Sequence, residues 1–376
     1  MTDQPRPLTL MAVHAHPDDE ATGTGGSLAR YAAEGVRTVL VTCTDGACGD
    51  GPGGVKPGEP GHDPAAVAAQ RHIELEASCE VLAVSDLELL GYGDSGMMGW
   101  DTNDAPGSFW STPVPEAAKR LAELMVAYRP DVVVTYDENG FYGHPDHIQA
   151  HRITMAALDL VQSRAKVYWT TAPRSAMENF GRVMRELGAD WEAPPASEDG
   201  PREPAAEPAG PPPEIGLPDE EITTWVDVRE FGGRKYDALA THASQEENIF
   251  FLKMGKERFT ELMGVETFVR VHDGAANGAA VATGERETDL FAGLRGPVAT
   301  AGPPIRLDCC RLDCGYCRSF RVGRLGYDIF HAWLVAPSQV ATSTRVPSAV
   351  PAAVVSRQSV ESAALVMVPS VLTVHC

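Results

Sequence analysis

Two short segments of the sequence combine histidine with closely spaced carboxylates. The first is HPDDE at residues 16–20, and the second is GHPDH at residues 143–147. Imidazole and carboxylate are donors that a catalytic zinc ion takes from a protein, with a fourth position left for water. Acidic loops with proline also form ordinary turns, and Asp18 or Asp19 suits the role of a helix cap. One segment alone does not decide between these interpretations.

The elements predicted around the two segments place them at one edge of a sheet. Runs rich in apolar and β-branched residues predict six strands, at 8–16, 36–44, 86–92, 130–137, 166–171 and 222–228. Helical patterns occur among them at 27–35, 65–82, 115–130 and 144–161. The alternation predicts an α/β, Rossmann-like fold, with a mostly parallel sheet covered by helices on both faces.

In sheets of this kind, ligands bind beyond the carboxyl ends of the strands, near the point where the strand order reverses. HPDDE follows the first predicted strand, and GHPDH follows the fourth. Their positions at equivalent strand ends favour one shared metal site over two unrelated turns.

The amino-acid composition of the 376-residue chain changes at two places. Residues 192–221 are dense in Pro, Glu and Ala, which predicts a mobile insertion that buries too little apolar surface to become ordered. From residue 296 onward the chain carries seven Arg and four acidic residues, whereas the whole protein has a net charge of -21. We therefore predict one domain over 1–295, interrupted by the insertion, and a non-globular tail over 296–376.

The acidic charge argues against nucleic acid and anionic membranes as partners, since both require a basic face. No uninterrupted apolar stretch reaches the roughly 18 residues of a transmembrane helix, and the first 16 residues lack the pattern of a secretory signal. We expect a cytoplasmic protein. The sequence leaves its oligomeric state open.

The paired segments AHPDDE (15–20) and GHPDH (143–147) resemble the PIG-L / LmbE-like zinc deacetylases, which remove an acyl group from an N-acetylglucosaminyl unit. The similarity extends over roughly 8–190 and 222–295. It includes the stretches LLGYGDSGM (89–97), RPDVVVTYDENG (129–140), YDALATHASQ (236–245) and ETDLFAGL (287–294). The resemblance implies an LmbE-like fold and a metal-dependent amide hydrolase with a small amino-sugar substrate.

The resemblance also implies a metal site. His16, Asp19 and His147 would ligate Zn²⁺, and Fe²⁺ also suits these donors. Asp18 would be the general base that takes a proton from the zinc-bound water.

Four further roles follow from the same resemblance. His144, protonated and oriented by Asp146, would stabilise the oxyanion and later protonate the leaving amine. Tyr142 would add a phenol hydrogen bond. Asp94 and Arg71 would bind the substrate, although Asp94 also suits a turn before glycine and Arg71 an exposed helix face.

Three other histidines are candidates for supporting roles. His151 follows His147 by one helical turn and therefore shares its face. His14 lies on the same strand face as His16. We expect both to support the site without ligating. His242 is left open between lining the site and packing.

Three features point to other chemistry. Gly23–Gly26 precede a helix but lack the spacing of a dinucleotide-binding loop, so we expect them to allow close packing of helix on sheet. The Gly- and Pro-rich segment 45–62 is either a substrate lid or a flexible loop. Four cysteines crowd into 309–317, but a structural zinc site needs a second, separated pair.

Several functions remain open. The first is deacetylation of an N-acetylglucosaminyl substrate, as in the mycothiol pathway. A mycothiol S-conjugate amidase, or a deacetylase of a secondary-metabolite (antibiotic) amino sugar, would use the same site residues. A non-catalytic sugar-binding or metal-storage protein would not require Asp18, His144 and Tyr142 together.

Overall fold

Buried β-branched runs form the central sheet of the protein, for which a computed structural model describes residues 6–187, 215–273 and 286–295. Its described strands are β1 Thr9–His14, β2 Arg37–Thr44, β3 Asp86–Tyr92, β4 Val132–Thr135, β5 Lys166–Thr171, β6 Thr224–Asp227 and β7 Val265–Asp273. They lie in the order β3-β2-β1-β4-β5-β7-β6. The first five are parallel, and β7 runs antiparallel to β5 and β6.

Helices connect and cover the strands. The described ones are α1 Gly25–Ala33, α2 Pro64–Leu82, α3 Val114–Tyr128, the single turn α4 Gly140–Gly143, α5 Pro145–Leu160, α6 Arg174–Glu186, α7 Gly232–Thr241, α8 Glu246–Leu252 and α9 Lys256–Met263. Among the described segments, no helix is long and apolar enough to span a bilayer.

Alternate side chains of β1 enter two separate cores, because successive residues of a strand point to opposite faces. Leu10 and Ala12 pack in one core with α1, α2 and α7. Met11 and Val13 pack in the other with α3 and α5. The sheet is therefore covered on both faces, and the predicted α/β class is confirmed.

The six predicted strands and four predicted helices all form, with ends that shift by a few residues. The structure adds β7 and the helices α6 to α9, which the sequence analysis did not assign. Because β7 lies between β5 and β6 in the opposite direction, this end of the sheet is antiparallel.

The ETDLFAGL stretch packs onto this antiparallel end. Leu290 and Phe291 are fully buried. The carboxylate of Glu287 accepts hydrogen bonds from Lys166 at 2.9 Å and Tyr168 at 3.0 Å. The stretch is thus part of the domain core.

The predicted insertion is described only at its end. In that part, Leu217 forms a β-bridge with Pro173, and Ser175 donates a hydrogen bond to Asp219. The rest of the insertion and the predicted tail, 296–376, lie outside the described residues, so the predicted domain organisation stays a prediction.

One buried ion pair connects three elements. Glu266 on β7 accepts hydrogen bonds from the backbone N–H groups of Gly26 and Ser27, at the start of α1, each at 2.8 Å. Lys235 on α7 donates to the same carboxylate at 2.7 Å. Both side chains are about 2% exposed, so neither charge has water as an alternative partner.

We expect Glu266→Ala to lower the free energy of unfolding by about 3–5 kcal/mol, because it leaves Lys235 as an uncompensated buried charge. The control is Asp237→Ala, which removes the partner of Lys256 in a half-exposed ion pair and should cost less than about 1 kcal/mol. Urea unfolding measures both. Equal midpoints for the two variants would contradict this account.

Candidate metal centre

The loop after β1 is folded by its own carboxylates. The side chain of Asp19 accepts a hydrogen bond from the backbone N–H of His16 at 2.8 Å. The carboxylate of Glu20 accepts one from the N–H of Asp18 at 2.9 Å. Asp18 has a φ of 118°, a conformation that is costly for a residue with a side chain and that persists only where surrounding contacts enforce it.

The loop after β4 presents the second histidine segment. His144 caps α5, and its Nδ1 accepts a hydrogen bond from the N–H of Asp146 at 3.2 Å. His147 lies in the first turn of α5. Gly140 packs against it so closely that a Cβ atom there would lie 2.7 Å from the Cβ of His147, and its φ is +62°. Glycine is therefore required at this position.

The two loops bring the predicted metal ligands together. Asp19 Oδ2 lies 3.4 Å from His16 Nδ1 and 3.5 Å from His147 Nε2. The combinations whose donor atoms all lie within 4.8 Å of one another are two others, His16 with His144 and His147, and His16 with Asp94 and Asp146.

Buried nitrogen and oxygen atoms that could ligate a metal make this cluster suitable for a cation. Within the described part of the chain, both ring nitrogens of His147 and the Oδ1 atom of Asp146 are buried without a hydrogen-bond partner. Buried polar atoms normally have partners. A divalent metal held by His16, Asp19 and His147 would supply one for His147, and the donor set is one that metals of this class accept.

Electrostatics at the cluster favour metal binding at His147 and Asp19 and oppose it at His16, whose proton a metal would have to displace. Burial lowers the pKa of His147 to about 4, so that its imidazole is neutral, as ligation requires. Burial disfavours charge on Asp19, but the imidazoles of His147 and His16 lower its pKa well below the ordinary value. Burial likewise opposes a charge on His16, yet three nearby carboxylates, Asp94 foremost, raise its pKa well above the usual value.

Asp18 lies beside the ligands with a side chain that is 20% exposed. Its Oδ2 atom accepts a hydrogen bond from the amide of Asn248 at 2.9 Å and lies 3.1 Å from Nη2 of Arg71. Burial raises the pKa of the Asp18 carboxyl, and the charge of Arg71 opposes that effect. A carboxylate with a raised pKa suits proton transfer near neutral pH.

The surroundings of His144 oppose the protonated state predicted for it. Burial, together with His16 and His147, lowers its pKa well below the ordinary value, which favours neutral imidazole over the expected imidazolium. Asp146 orients it through the backbone N–H, because its carboxylate instead contacts His16 at 3.2 Å and the N–H of Ser95 at 2.9 Å. With Nδ1 accepting, the proton of neutral His144 resides on Nε2.

Comparison with known proteins shows the family of this chain. The sequence profile of the PIG-L family, described as GlcNAc-PI de-N-acetylase, matches residues 11–158. A relative from Salinispora arenicola (strain CNS-205), named 1D-myo-inositol 2-acetamido-2-deoxy-alpha-D-glucopyranoside deacetylase, is 42% identical over 307 residues, which cover 78% of this chain and 93% of the relative. The chain belongs to the PIG-L family.

A second relative supports this membership. A relative of the same name from Thermomonospora curvata is 39% identical over 312 residues, covering 76% of this chain and 97% of the relative. Among solved structures, N,N'-diacetylchitobiose deacetylase from Pyrococcus horikoshii aligns with a TM-score of 0.43 at 20% identity, over 73% of this chain and 87% of that one. The family resemblance that the two histidine segments indicated is confirmed.

The remaining predicted site residues of this PIG-L protein lie around the cluster. The ring of Tyr142 is 5.0 Å from that of His147 and 6.1 Å from that of His144. Asp94 Oδ1 lies 3.6 Å from His16 Nε2. Arg71 is only 5% exposed, and it also donates to the backbone oxygens of Gly46 and Pro17. Substrate contacts of Asp94 and Arg71 stay predictions.

The supporting histidines have other partners than a metal. His14 bonds to Tyr136 and Thr24, and the Nδ1 atom of His151 bonds to the backbone oxygen of Tyr136 at 3.0 Å. His242 is fully buried and bonds to Glu20 at 2.8 Å.

The sequence analysis missed Tyr136, whose ring stacks on His147 at 4.2 Å, and it missed Asn248. Tyr136 directly follows β4, which could have drawn attention to it. Asn248 lies in a helix that the sequence analysis did not assign.

The structure shows the contacts of two other sequence features. A Cβ at Gly26 would lie 2.3 Å from the side chain of Val228, so this glycine does permit close packing. Segment 45–62 contacts the site, since the N–H of Cys48 donates to Asp94 at 3.1 Å and the N–H of Asp50 donates to Gln245 at 2.9 Å. The lid role of that segment stays a prediction. The cysteines at 309–317 lie outside the described residues.

We expect His147→Ala to abolish stoichiometric metal binding, because it removes one of three closely spaced donors. The matched control is His151→Ala, one helical turn further along α5, whose imidazole bonds to a backbone oxygen. Its metal content should equal that of the parent protein. Elemental analysis of the purified proteins gives the answer, and equal metal content in the two variants would refute the ligand assignment.

Proposed function

We propose that this protein is a zinc-dependent hydrolase that removes the acetyl group from an N-acetylglucosaminyl substrate. The observation that carries the proposal is the convergence of His16, Asp19 and His147, with the Asp18 carboxylate beside them. The name shared by the two relatives, 1D-myo-inositol 2-acetamido-2-deoxy-alpha-D-glucopyranoside deacetylase, supports an N-acetylglucosaminyl-inositol as the substrate. The products would be acetate and a primary amine.

The metal, held by His16, Asp19 and His147, would polarise the amide carbonyl and lower the pKa of water. Asp18 accepts the proton of the attacking water through its carboxylate. Its surroundings fit this role, because burial raises the pKa of its carboxyl and a fifth of its side chain remains exposed to solvent.

His144 supplies a hydrogen-bond donor for the oxyanion. Because Nδ1 accepts from the N–H of Asp146, the proton of neutral His144 lies on Nε2, which can donate it. A neutral imidazole that donates one hydrogen bond stabilises the developing oxyanion, and the same proton is available to the departing amine. The phenol of Tyr142 is the second hydrogen-bond donor for the oxyanion.

Substrate recognition is assigned to Asp94 and Arg71. Asp94 offers a carboxylate for sugar hydroxyls, although its Oδ1 already accepts from the N–H of Gly96 at 2.8 Å. Arg71 already contacts three oxygen atoms of the protein, those of Gly46, Pro17 and Asp18. It would therefore affect the substrate mainly by positioning Asp18 and the loop at Gly46.

Release of primary amine from two substrates tests the proposal. The metal-loaded protein should cleave N-acetylglucosaminyl-inositol faster than a mycothiol S-conjugate, since the relatives are named for the former. Preference for the conjugate would make the protein an amidase with the same site residues. If neither is cleaved while the metal stays bound, a secondary-metabolite sugar or a non-catalytic binding role replaces the proposed function.

We expect Asp18→Asn to lower kcat by about 10²–10⁴-fold, because an amide cannot accept the proton. Metal content should stay at the parent value, since Asp18 is not among the three proposed ligands. The control is Asp159→Asn on the exposed side of α5, with an unchanged rate. Parent-like turnover by the Asp18 variant would rule out this residue as the base.

A further inference from the structure

Asp18 is restrained at nearly every polar atom. Its N–H donates to Glu20, and its backbone oxygen accepts hydrogen bonds from the N–H groups of Ala21 and Thr22 at 3.0 and 3.3 Å. Its Oδ2 atom faces Asn248 and Arg71. Among the described residues, no hydrogen bond reaches Oδ1. The network therefore selects one carboxylate oxygen and leaves the other available.

The two contacts at Oδ2 are not equivalent. Arg71 divides its guanidinium among Asp18 and the backbone oxygens of Gly46 and Pro17, and its bond to Pro17 is the shortest at 2.6 Å. Asn248, 4% exposed, directs its Nδ2 to Asp18 alone among the described residues. Its amide is thus the more specific restraint on the carboxylate.

The stretch of chain just before Asn248 restrains the backbone of Asp18 through Glu20. His242, at the end of α7, bonds to Glu20 Oε1 at 2.8 Å, and Ser78 donates to the same oxygen at 2.5 Å. The other oxygen of Glu20 accepts the N–H of Asp18. His242, through Glu20, and Asn248 therefore act on the backbone and the side chain of Asp18, whose positive φ requires such enforcement.

We propose that Asn248 is a positioning residue for the reaction: its side-chain amide fixes Oδ2 of Asp18, so that Oδ1 is the oxygen that accepts the proton. This inference rests on the proposed function, in which Asp18 is the base. It assigns Asn248 no contact with substrate or metal. Its effect on the rate arises because a small displacement of a catalytic group is costly to the chemical step.

Asn248→Ala tests this assignment through the separation of kcat from KM. We expect kcat to fall about tenfold, the loss of one hydrogen bond to a charged group, while KM and metal content stay within about twofold of the parent values. The control is Asn179→Ala, whose amide contacts Arg182 on the surface and should not alter kcat. A parent-like kcat for Asn248→Ala would overturn the proposal.

Asn248→Asp retains the shape of the side chain and keeps the test informative if the alanine variant does not fold. It replaces the N–H donor with an oxygen that faces Oδ2 of Asp18. We expect a loss of kcat at least as large as for alanine. Full activity of a folded Asn248→Asp protein would contradict the role of the amide.

A double-mutant cycle separates positioning from a general structural role. In an Asp18→Asn background, single-turnover rates should show no further loss on adding Asn248→Ala, because the effect of Asn248 runs through the carboxylate. The same fractional loss in both backgrounds would overturn the inference. Parent-like turnover of Asp18→Asn by itself would instead refute the proposed function, so the two failures are distinguishable.

Discussion

The parallel pairing of β1 with β4 determines how close two distant loops come to each other. Leu10, Met11 and Ala12 pair with Val132, Val133 and Val134, so both strands end at the same edge of the sheet. The chain moves outward from β1 to β2 and β3, then returns to place β4 on the other side of β1. That reversal opens the crevice in which side chains 130 residues apart, such as His16 and Asp146, come within 3.2 Å.

Within the crevice, burial gives the side chains their chemical character. Three imidazoles and several carboxylates lie almost fully out of water, where an unpaired charge is expensive. Contacts among these groups offset part of that cost. A cation at the ring nitrogens of His147, which have no hydrogen-bond partner among the described residues, would offset more of it. The same burial keeps His147 neutral and raises the pKa of the Asp18 carboxyl. Metal binding and proton transfer thus have a common physical origin.

The antiparallel end of the sheet and the helices beside it contribute in a different way. Glu266 on β7 satisfies the first N–H groups of α1, the helix that follows the HPDDE loop. His242 and Asn248 reach the same loop from the end of α7 and from α8. Late segments of the chain therefore stabilise and orient a loop close to its beginning, and they enforce the unfavourable backbone conformation of Asp18.

The sequence by itself determined the α/β class and the first six strands, because hydrophobic periodicity is a local pattern. The ligand set His16, Asp19 and His147 follows from the family resemblance of the two histidine segments and stays a prediction. The sequence did not determine β7, which runs antiparallel between β5 and β6, nor the surroundings of His144, which depend on burial and on a backbone N–H. Asn248 carries no local signal, since an asparagine on a surface and one bonded to a buried carboxylate look alike in sequence. Only the tertiary structure brings it within 2.9 Å of Asp18, because that contact spans 230 residues of chain.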